Sequence, residues 1–248
     1  MIKRPYILTI AGFDPSGGAG LVADCKTFEA LKCQGLSVCT ANTIQTDIDF
    51  IACYWTNIEI IKKQIETLFN RFQIEVVKIG IVENWNVLNE IVSLLIKLNS
   101  EVKIVLDPVL SASSGYDFQK DCNAELLDFI LEKVYLLTPN YNEIQQLYFE
   151  KSIDETISHV SGKTNLFLKG GHNETEKGKD YLYTKAGKVH PMNPKYKAIY
   201  PKHGSGCVLS SAIASHLALE FPLLKSCFRG KRFTEKYLGS SKNLLGKF

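Results

Sequence analysis

Short apolar runs alternate along the chain with longer stretches in which apolar residues recur every third or fourth position. A strand buried on both faces reads as a continuous apolar run, and a helix packed against it carries a 3.6-residue stripe. Residues 6–11 predict a first strand. Residues 20–31 predict a helix, with Val22, Cys25, Phe28 and Leu31 on one stripe. A second strand is expected over 36–44 and a helix over 58–72, with Ile61, Ile65, Leu68 and Phe72 on one side. Residues 75–79 and 102–106 read as strands on either side of a helix at 85–98. A helix near 124–131, a strand at 134–137, a helical segment at 140–148 and a short strand at 166–168 follow. Residues 181–184 and 187–192 read as a hairpin turning near Lys185-Ala186. A small-residue-rich helix at 205–219 and a last helix at about 222–238 complete the pattern.

Strands alternating with helices imply a largely parallel sheet with helices on both faces, a three-layer α/β/α arrangement. The chain has 248 residues, with no internal repeat, low-complexity segment or linker, so residues 1–248 are expected to form a single domain. With 45% hydrophobic and 22% charged residues, disorder is not expected, and no run approaches a membrane span. Residues 1–5 pass directly into the first strand without the pattern of a signal peptide, so a cytoplasmic protein is expected. The seven cysteines (Cys25, Cys33, Cys39, Cys53, Cys122, Cys207 and Cys227) are scattered and never spaced C-x-x-C. That argues against a disulfide framework or a zinc site. Net charge is only +3, and nucleic acid is not an expected partner. From Lys225 onward, however, seven basic residues face one acid, Glu235. A solvated helix face accounts for them, and attraction of a polyanionic nucleotide is the alternative.

Five stretches carry candidate chemistry. Thr9-Ile-Ala-Gly-Phe-Asp-Pro-Ser-Gly-Gly-Ala-Gly20 sets a glycine-rich loop between a strand and a helix, where backbone N–H groups can approach a ligand. Gly18-x-Gly20-x-x-Ala23 matches a dinucleotide fingerprint, but no acid follows about 20 residues later. Ser161-Gly162-Lys163-Thr164 copies the tail of a P-loop, yet its upstream glycine is missing and a strand follows, so that reading fails. Asp107-Pro108 puts a carboxylate at the rim of a parallel sheet, either starting a turn or serving a metal or phosphate. In Thr138-Pro139-Asn140-Tyr141-Asn142-Glu143, Asn140 and Glu143 have the spacing of a capping box, and Glu143 could instead hold magnesium through water. Lys169 precedes Gly170-Gly171, where it meets either solvent or nucleotide phosphates. Gly204-Ser205-Gly206-Cys207 opens a helix of small residues. Its free N–H groups can stabilise a transferring phosphoryl group, and a thiol in a first helical turn is expected to have a lowered pKa.

Taken in order, these stretches resemble the ribokinase-like superfamily, and within it the hydroxymethylpyrimidine/phosphomethylpyrimidine kinases. The resemblance spans about residues 6–219. It implies phosphorylation of 4-amino-5-hydroxymethyl-2-methylpyrimidine, and then of its monophosphate, by ATP with magnesium. It implies that Gly12, Ala19, Asp24, Gln45, Ile81 and Val109 surround the pyrimidine. Gln45 has the donor and acceptor that an aminopyrimidine edge needs, and ionised Asp24 can only accept. By the same resemblance Gly204, Ser205 and Gly206 form an anion hole, and Cys207 stands where many relatives have an aspartate base. Lys169, Asn140 and Glu143 would serve ATP, and Asp107, Asn140 and Glu143 would organise magnesium and its waters. Ser205 replaces a threonine common in the family and keeps its hydroxyl, while Ile81 replaces a methionine. A homodimer is also implied. Two other readings stay open, a pyridoxal kinase and a non-catalytic vitamin- or nucleotide-binding domain.

Overall fold

The computed structural model describes residues 4–109, 123–172, 176–196 and 198–248. Its first half comprises strand β1 (Tyr6–Phe13), helix α1 (Gly20–Ala30), β2 (Gln34–Gln45), β3 (Phe50–Trp55), α2 (Ile58–Arg71), β4 (Ile74–Ile79), α3 (Trp85–Leu98) and β5 (Lys103–Leu106). The second half comprises α4 (Ala124–Lys133), β6 (Leu136–Leu137), α5 (Tyr141–Leu147), α6 (Ile153–Lys163), β7 (Asn165–Leu168), β8 (Asp180–Tyr183), β9 (Val189–Met192), α7 (Ser205–Ala218) and α8 (Leu223–Gly239). Among the described residues, nine strands form one sheet in the order β3-β2-β1-β4-β5-β6-β7-β8-β9. The pairs from β2 through β7 are parallel, and β3, β8 and β9 add antiparallel margins.

The continuous apolar runs of the central strands follow from burial on both faces. Leu8, Ile10, Val77, Ile79, Ile104, Leu106, Leu137, Leu166 and Leu168 pack with Ile61 and Ile65 of α2, Ile91 of α3, Ile130 of α4 and Val160 of α6. Their sequence neighbours Ile7, Val76, Val105, Leu136 and Phe167 point to the other face, against Phe28 of α1, Leu209 and Ile213 of α7 and Cys227 of α8. The two-residue strand period thus sorts one set of side chains into two cores, giving the expected three layers.

Two elements were not legible in the pattern. β3 pairs antiparallel with β2 and extends the sheet past its helices, so its apolar residues lack the regularity that one buried face imposes. α6 starts from a reciprocal capping box, in which Ser152 Oγ accepts the Glu155 N–H and Glu155 Oε2 accepts the Ser152 N–H. The Ser161-Gly162-Lys163 sequence is the last turn of that helix rather than a phosphate loop. Cys122 lies outside the described residues.

His216, near the end of α7, is buried with its Nδ1 lacking a hydrogen-bond partner. Burial, with a smaller contribution from the Arg229 charge, lowers its pKa to about 4 from 6.5. The unfolded chain therefore takes up a proton that the folded chain refuses between these values. Stability is fully present above pH 6.5 and declines as the pH falls toward 4. His216→Leu should flatten this part of the profile, read as the denaturation midpoint at pH 7, 6, 5 and 4.5; an unchanged slope would show that other groups control it.

Candidate functional site

The parallel strands all end at one rim of the sheet, where an α/β fold leaves a crevice. Here a cavity of about 790 Å³ opens. β1 brings Gly12, β2 brings Gln45, and the turns after β4 and β5 bring Ile81, Asp107 and Val109. Asn140 and Glu143 enter from the start of α5, and Lys169 from the end of β7. Ala19 and Gly204, Ser205, Gly206 and Cys207 close the opposite wall. Asp24 alone among the expected site residues does not line the cavity.

Two glycine turns interlock at the mouth. Gly20 has φ +56°, and a Cβ there would stand 2.2 Å from the Gly12 carbonyl oxygen. Gly204 has φ +71°, and its Cβ would stand 2.0 Å from the Gly18 carbonyl oxygen. Only glycine satisfies both the left-handed backbone and the close approach. Asp14 stitches the first turn to the second. Its carboxylate accepts the Ser16 N–H at 2.8 Å, the Ala19 N–H at 2.8 Å and the Ser16 hydroxyl at 2.9 Å, and lies 2.9 Å from His203 Nε2. Burial opposes ionisation of Asp14, but the His203 contact and the other hydrogen bonds together hold its pKa below the usual carboxylate value. The Ala19 N–H, which a phosphate loop would offer to a ligand, is thus used inside the protein.

Asp24 sits one layer behind the wall. Lys78 Nζ donates to its Oδ1 at 3.1 Å and Oδ2 at 2.9 Å, with both side chains fully buried. Thr9 Oγ1 donates to Oδ2 at 2.6 Å and Ser211 Oγ to Oδ1 at 2.7 Å. Thr9 and Lys78 are register partners on β1 and β4, while Asp24 belongs to α1 and Ser211 to α7. Burial works against the Lys78 charge, yet the Asp24 carboxylate keeps its pKa above the ordinary lysine value. Asp24 is therefore committed to four protein hydrogen bonds and reaches a ligand only through what it positions.

Lys169 Nζ lies 2.9 Å from Asp107 Oδ1 and 3.3 Å from Glu143 Oε2. Asp107 also accepts from Ser210 Oγ at 3.1 Å. Burial raises the Asp107 pKa, but the Lys169 and Lys78 charges and the hydrogen bonds from Lys169 and Ser210 together outweigh it, and the net shift is downward. Glu143 moves the other way: burial raises it, and the Asp107 charge adds to that despite Lys169. The capping box is present as expected, with Asn140 Oδ1 accepting the Glu143 N–H at 2.9 Å and Glu143 Oε2 accepting the Asn140 N–H at 2.7 Å.

Gly204 is the N-cap of α7 and supplies no side-chain cap, so Ser205 opens the helix rather than capping it. The first N–H with an intrahelical acceptor is that of Val208, donating to the Gly204 carbonyl. The N–H groups before it are those that a helix leaves for an external acceptor. Cys207 reverses its expectation. Burial pushes its pKa up to about 11, and the nearby Lys78 charge does not offset this, so the group is a thiol at neutral pH.

A sequence profile described as "Phosphomethylpyrimidine kinase" matches residues 14–247. The chain belongs to this family. A hydroxymethylpyrimidine/phosphomethylpyrimidine kinase of Staphylococcus aureus (strain Mu50 / ATCC 700699) is 30% identical over 243 residues, covering 94% of this chain and 87% of that protein. The crystal structure of phosphomethylpyrimidine kinase from Clostridium difficile 630 superposes with a TM-score of 0.77 at 33% identity, covering 95% of this chain and 98% of that one. A Staphylococcus aureus pyridoxal kinase in complex with pyridoxal reaches a TM-score of 0.80 at 24% identity, covering 96% and 88%, and shares the fold.

Within this phosphomethylpyrimidine kinase family member, the cavity holds residues that sequence reasoning left unassigned: Asp14, Lys78, Asp180, His203, Lys231 and Glu235. A signal existed for Lys78, a charge set among the apolar Val76, Val77 and Ile79. Lys231 carries only the signal of the basic tail, and none marks Asp180, which meets it only through the fold. The basic tail is also not a free field: Lys231 pairs with Asp180, and Arg232 donates to Glu235 at 2.6 Å. The raised Cys207 pKa predicts slow alkylation by iodoacetamide at pH 7–8, with the rate still climbing above pH 10. Peptide mass spectrometry of the Cys207 fragment measures it, and a plateau below pH 8 would contradict the burial argument.

Proposed function

We propose that the chain transfers the γ-phosphoryl group of ATP to 4-amino-5-hydroxymethyl-2-methylpyrimidine and then to the resulting monophosphate. The observation that carries this reading is that one cavity is lined both by Gly12, Ala19, Gln45, Ile81 and Val109 and by Lys169, Asn140, Glu143 and the Gly204–Gly206 turn. Gln45 donates one amide hydrogen to Thr43 Oγ1 at 2.7 Å, which orients its carbonyl and remaining N–H for an aminopyrimidine edge. Ile81 packs against Gly12, where a Cβ would come within 2.4 Å of it, so only glycine leaves Ile81 room to line this part of the cavity.

The substrate hydroxyl attacks the γ-phosphorus, the bond to the β,γ-bridging oxygen breaks, and ADP leaves. The N–H groups of the Gly204–Gly206 turn and the Lys169 ammonium face the charge on the transferring group. Asn140 and Glu143 border the nucleotide phosphates. Asp107 and Glu143 are both engaged by Lys169, so they fit magnesium held through its waters rather than by direct ligation. Bound there, the ion would neutralise charge on the phosphates. Cys207, protonated at rest, orients the hydroxyl and is too weak a base to take its proton, which passes to an oxygen of the transferring phosphoryl group as the new P–O bond forms. Such weakness is tolerable because phosphoryl transfer depends chiefly on position and charge. In the second transfer the acceptor is already an anion, since a phosphate monoester has its second pKa near ~6. No base is needed there. Free thiols throughout the described residues accord with a reducing compartment, the cytoplasm.

An assay of ADP release with the pyrimidine, its monophosphate and pyridoxal side by side should give turnover of the first two. Lys169→Ala should lower kcat by roughly 10²–10³ for both. Cys207→Ala should slow the first transfer more than the second. Binding of the pyrimidine without turnover would sink the kinase reading.

The homodimer is proposed on a separate surface. Phe13 of β1, Ile44 of β2 and Tyr54 of β3 share the sheet face turned away from the cavity, and Tyr54 is 61% exposed. β3 is also the marginal strand of the sheet among the described residues, where a second copy of this chain could add to it. Light scattering should give twice the 27.8 kDa chain mass, and Tyr54→Lys should return it to the single value; a wild-type monomer would refute the dimer.

A further inference from the structure

α8 enters the cavity through Lys231, Thr234, Glu235 and Leu238. Its approach is set by Gly230, where a Cβ would stand 2.5 Å from Ile213 Cγ1 and 3.1 Å from the Ile213 backbone nitrogen. That contact seats α8 on α7 and carries Lys231 into the interior, only 4% exposed. The Lys231 ammonium donates to the Gly178 carbonyl at 2.6 Å and to Asp180 Oδ2 at 2.8 Å, and lies 3.5 Å from Glu235 Oε1. Two of its hydrogens go to protein acceptors, and the Glu235 carboxylate lies within ion-pair range of the ammonium. The other oxygen of Asp180 accepts the Gly170 N–H at 2.7 Å, and the Gly178 N–H donates to the Gly170 carbonyl at 2.9 Å. Gly170 is the residue after Lys169, and its missing Cβ would lie 1.9 Å from the Lys179 carbonyl oxygen. A continuous polar path therefore runs from α8 through Asp180 to the backbone beside Lys169.

We propose that Lys231 is a positioning residue for the nucleotide, holding Gly171 and Gly178 in the cavity wall through its bonds to Gly178 and, by way of Asp180, to Gly170. The proposal rests on the kinase reading only for the identity of the ligand as a purine nucleoside di- or triphosphate. With its donors used internally, Lys231 acts through the wall rather than by contact with a phosphate. A buried ion pair adds little net stability over an apolar pair of the same shape, but removing one partner strands the other charge. The segment bearing Gly170 and Gly178 is tied to α8 through this ammonium, so a stranded Asp180 releases that wall first.

The test uses the full chain and reads each substrate separately. Lys231→Met should raise the KM for ATP and the Kd for ADP by calorimetry by about tenfold or more, the effect expected from a lost buried partner. The KM for the pyrimidine should move by less than about twofold, and kcat by less than about threefold, within the range of an unperturbed step. Asp180→Asn should act in the same direction. Lys231→Met combined with Asp180→Asn should be no worse than either alone, because both changes cut one path. Lys231→Arg, which keeps the charge and its reach, should restore ADP affinity to within about threefold of the wild type. Melting curves of each variant identify any that fail to fold, and Lys231→Arg and the double variant keep the buried charge balanced if the single changes do not. Equal losses for ATP and pyrimidine, or unchanged ADP affinity in folded variants, would overturn the proposal. A wild-type chain that binds ADP in a Lys231-dependent way but phosphorylates neither pyrimidine would end the kinase reading and leave this one standing. A wild-type chain that binds no ADP would end both.

Discussion

The arrangement of the site depends on one buried ion pair. Lys78 and Asp24, joined by Thr9 and Ser211, tie β1 and β4 to α1 and α7 at a single point under the cavity floor. Both helices begin at the cavity, and their amino ends converge because their second turns, at Asp24 and Ser211, are pinned to the same two strands. Breaking a pair of this kind by removing one partner costs about 3–5 kcal/mol, while replacing both with apolar groups can cost nothing. The value of the pair here lies in direction. An apolar contact could be made over a range of helix rotations, but four hydrogen bonds to one carboxylate allow one.

The layers of this architecture were readable in the sequence because the physics that forms them is periodic. Ile7 and Leu8, or Leu136 and Leu137, are adjacent in the chain and buried on opposite faces. A short run of such residues fits a strand with protein on both sides. β3 escaped because an antiparallel flap with exposed faces imposes no period. α6 escaped because its apolar stripe is short and its start is marked only by Ser152 and Glu155.

The candidate site divides along the same line. Residues on glycine turns and strand ends could be located in advance, since the backbone geometry they need leaves a local mark. Asp24 shows the limit of that inference. Its place at the start of a helix behind a glycine loop suits a ligand contact, but register with Lys78 decides otherwise, and register is invisible in one strand alone. Cys207 shows a second limit. A helix amino end lowers a thiol pKa only where solvent or cations share in stabilising the thiolate. Here Asp24 and Asp107 lie close enough to oppose it, and burial dominates. The charge of Lys231 likewise reads as surface in the sequence and as interior in the fold, because Gly230 removes the side chain that would have kept α8 at a distance.

The interlocked turns have a consequence for how such a chain can change over time. In the strands, one branched aliphatic residue can replace another with modest loss, so the sheet can drift widely while keeping its shape. Gly20 and Gly204 have no such freedom, because each faces a backbone carbonyl oxygen at a distance that any side chain would occupy. A substitution at Gly204 would have to be answered by a shift of the turn around Gly18, which is itself fixed by the Asp14 bonds and by Gly20. The two turns therefore vary as one unit or hold still, even though about three-quarters of the chain's length separates them.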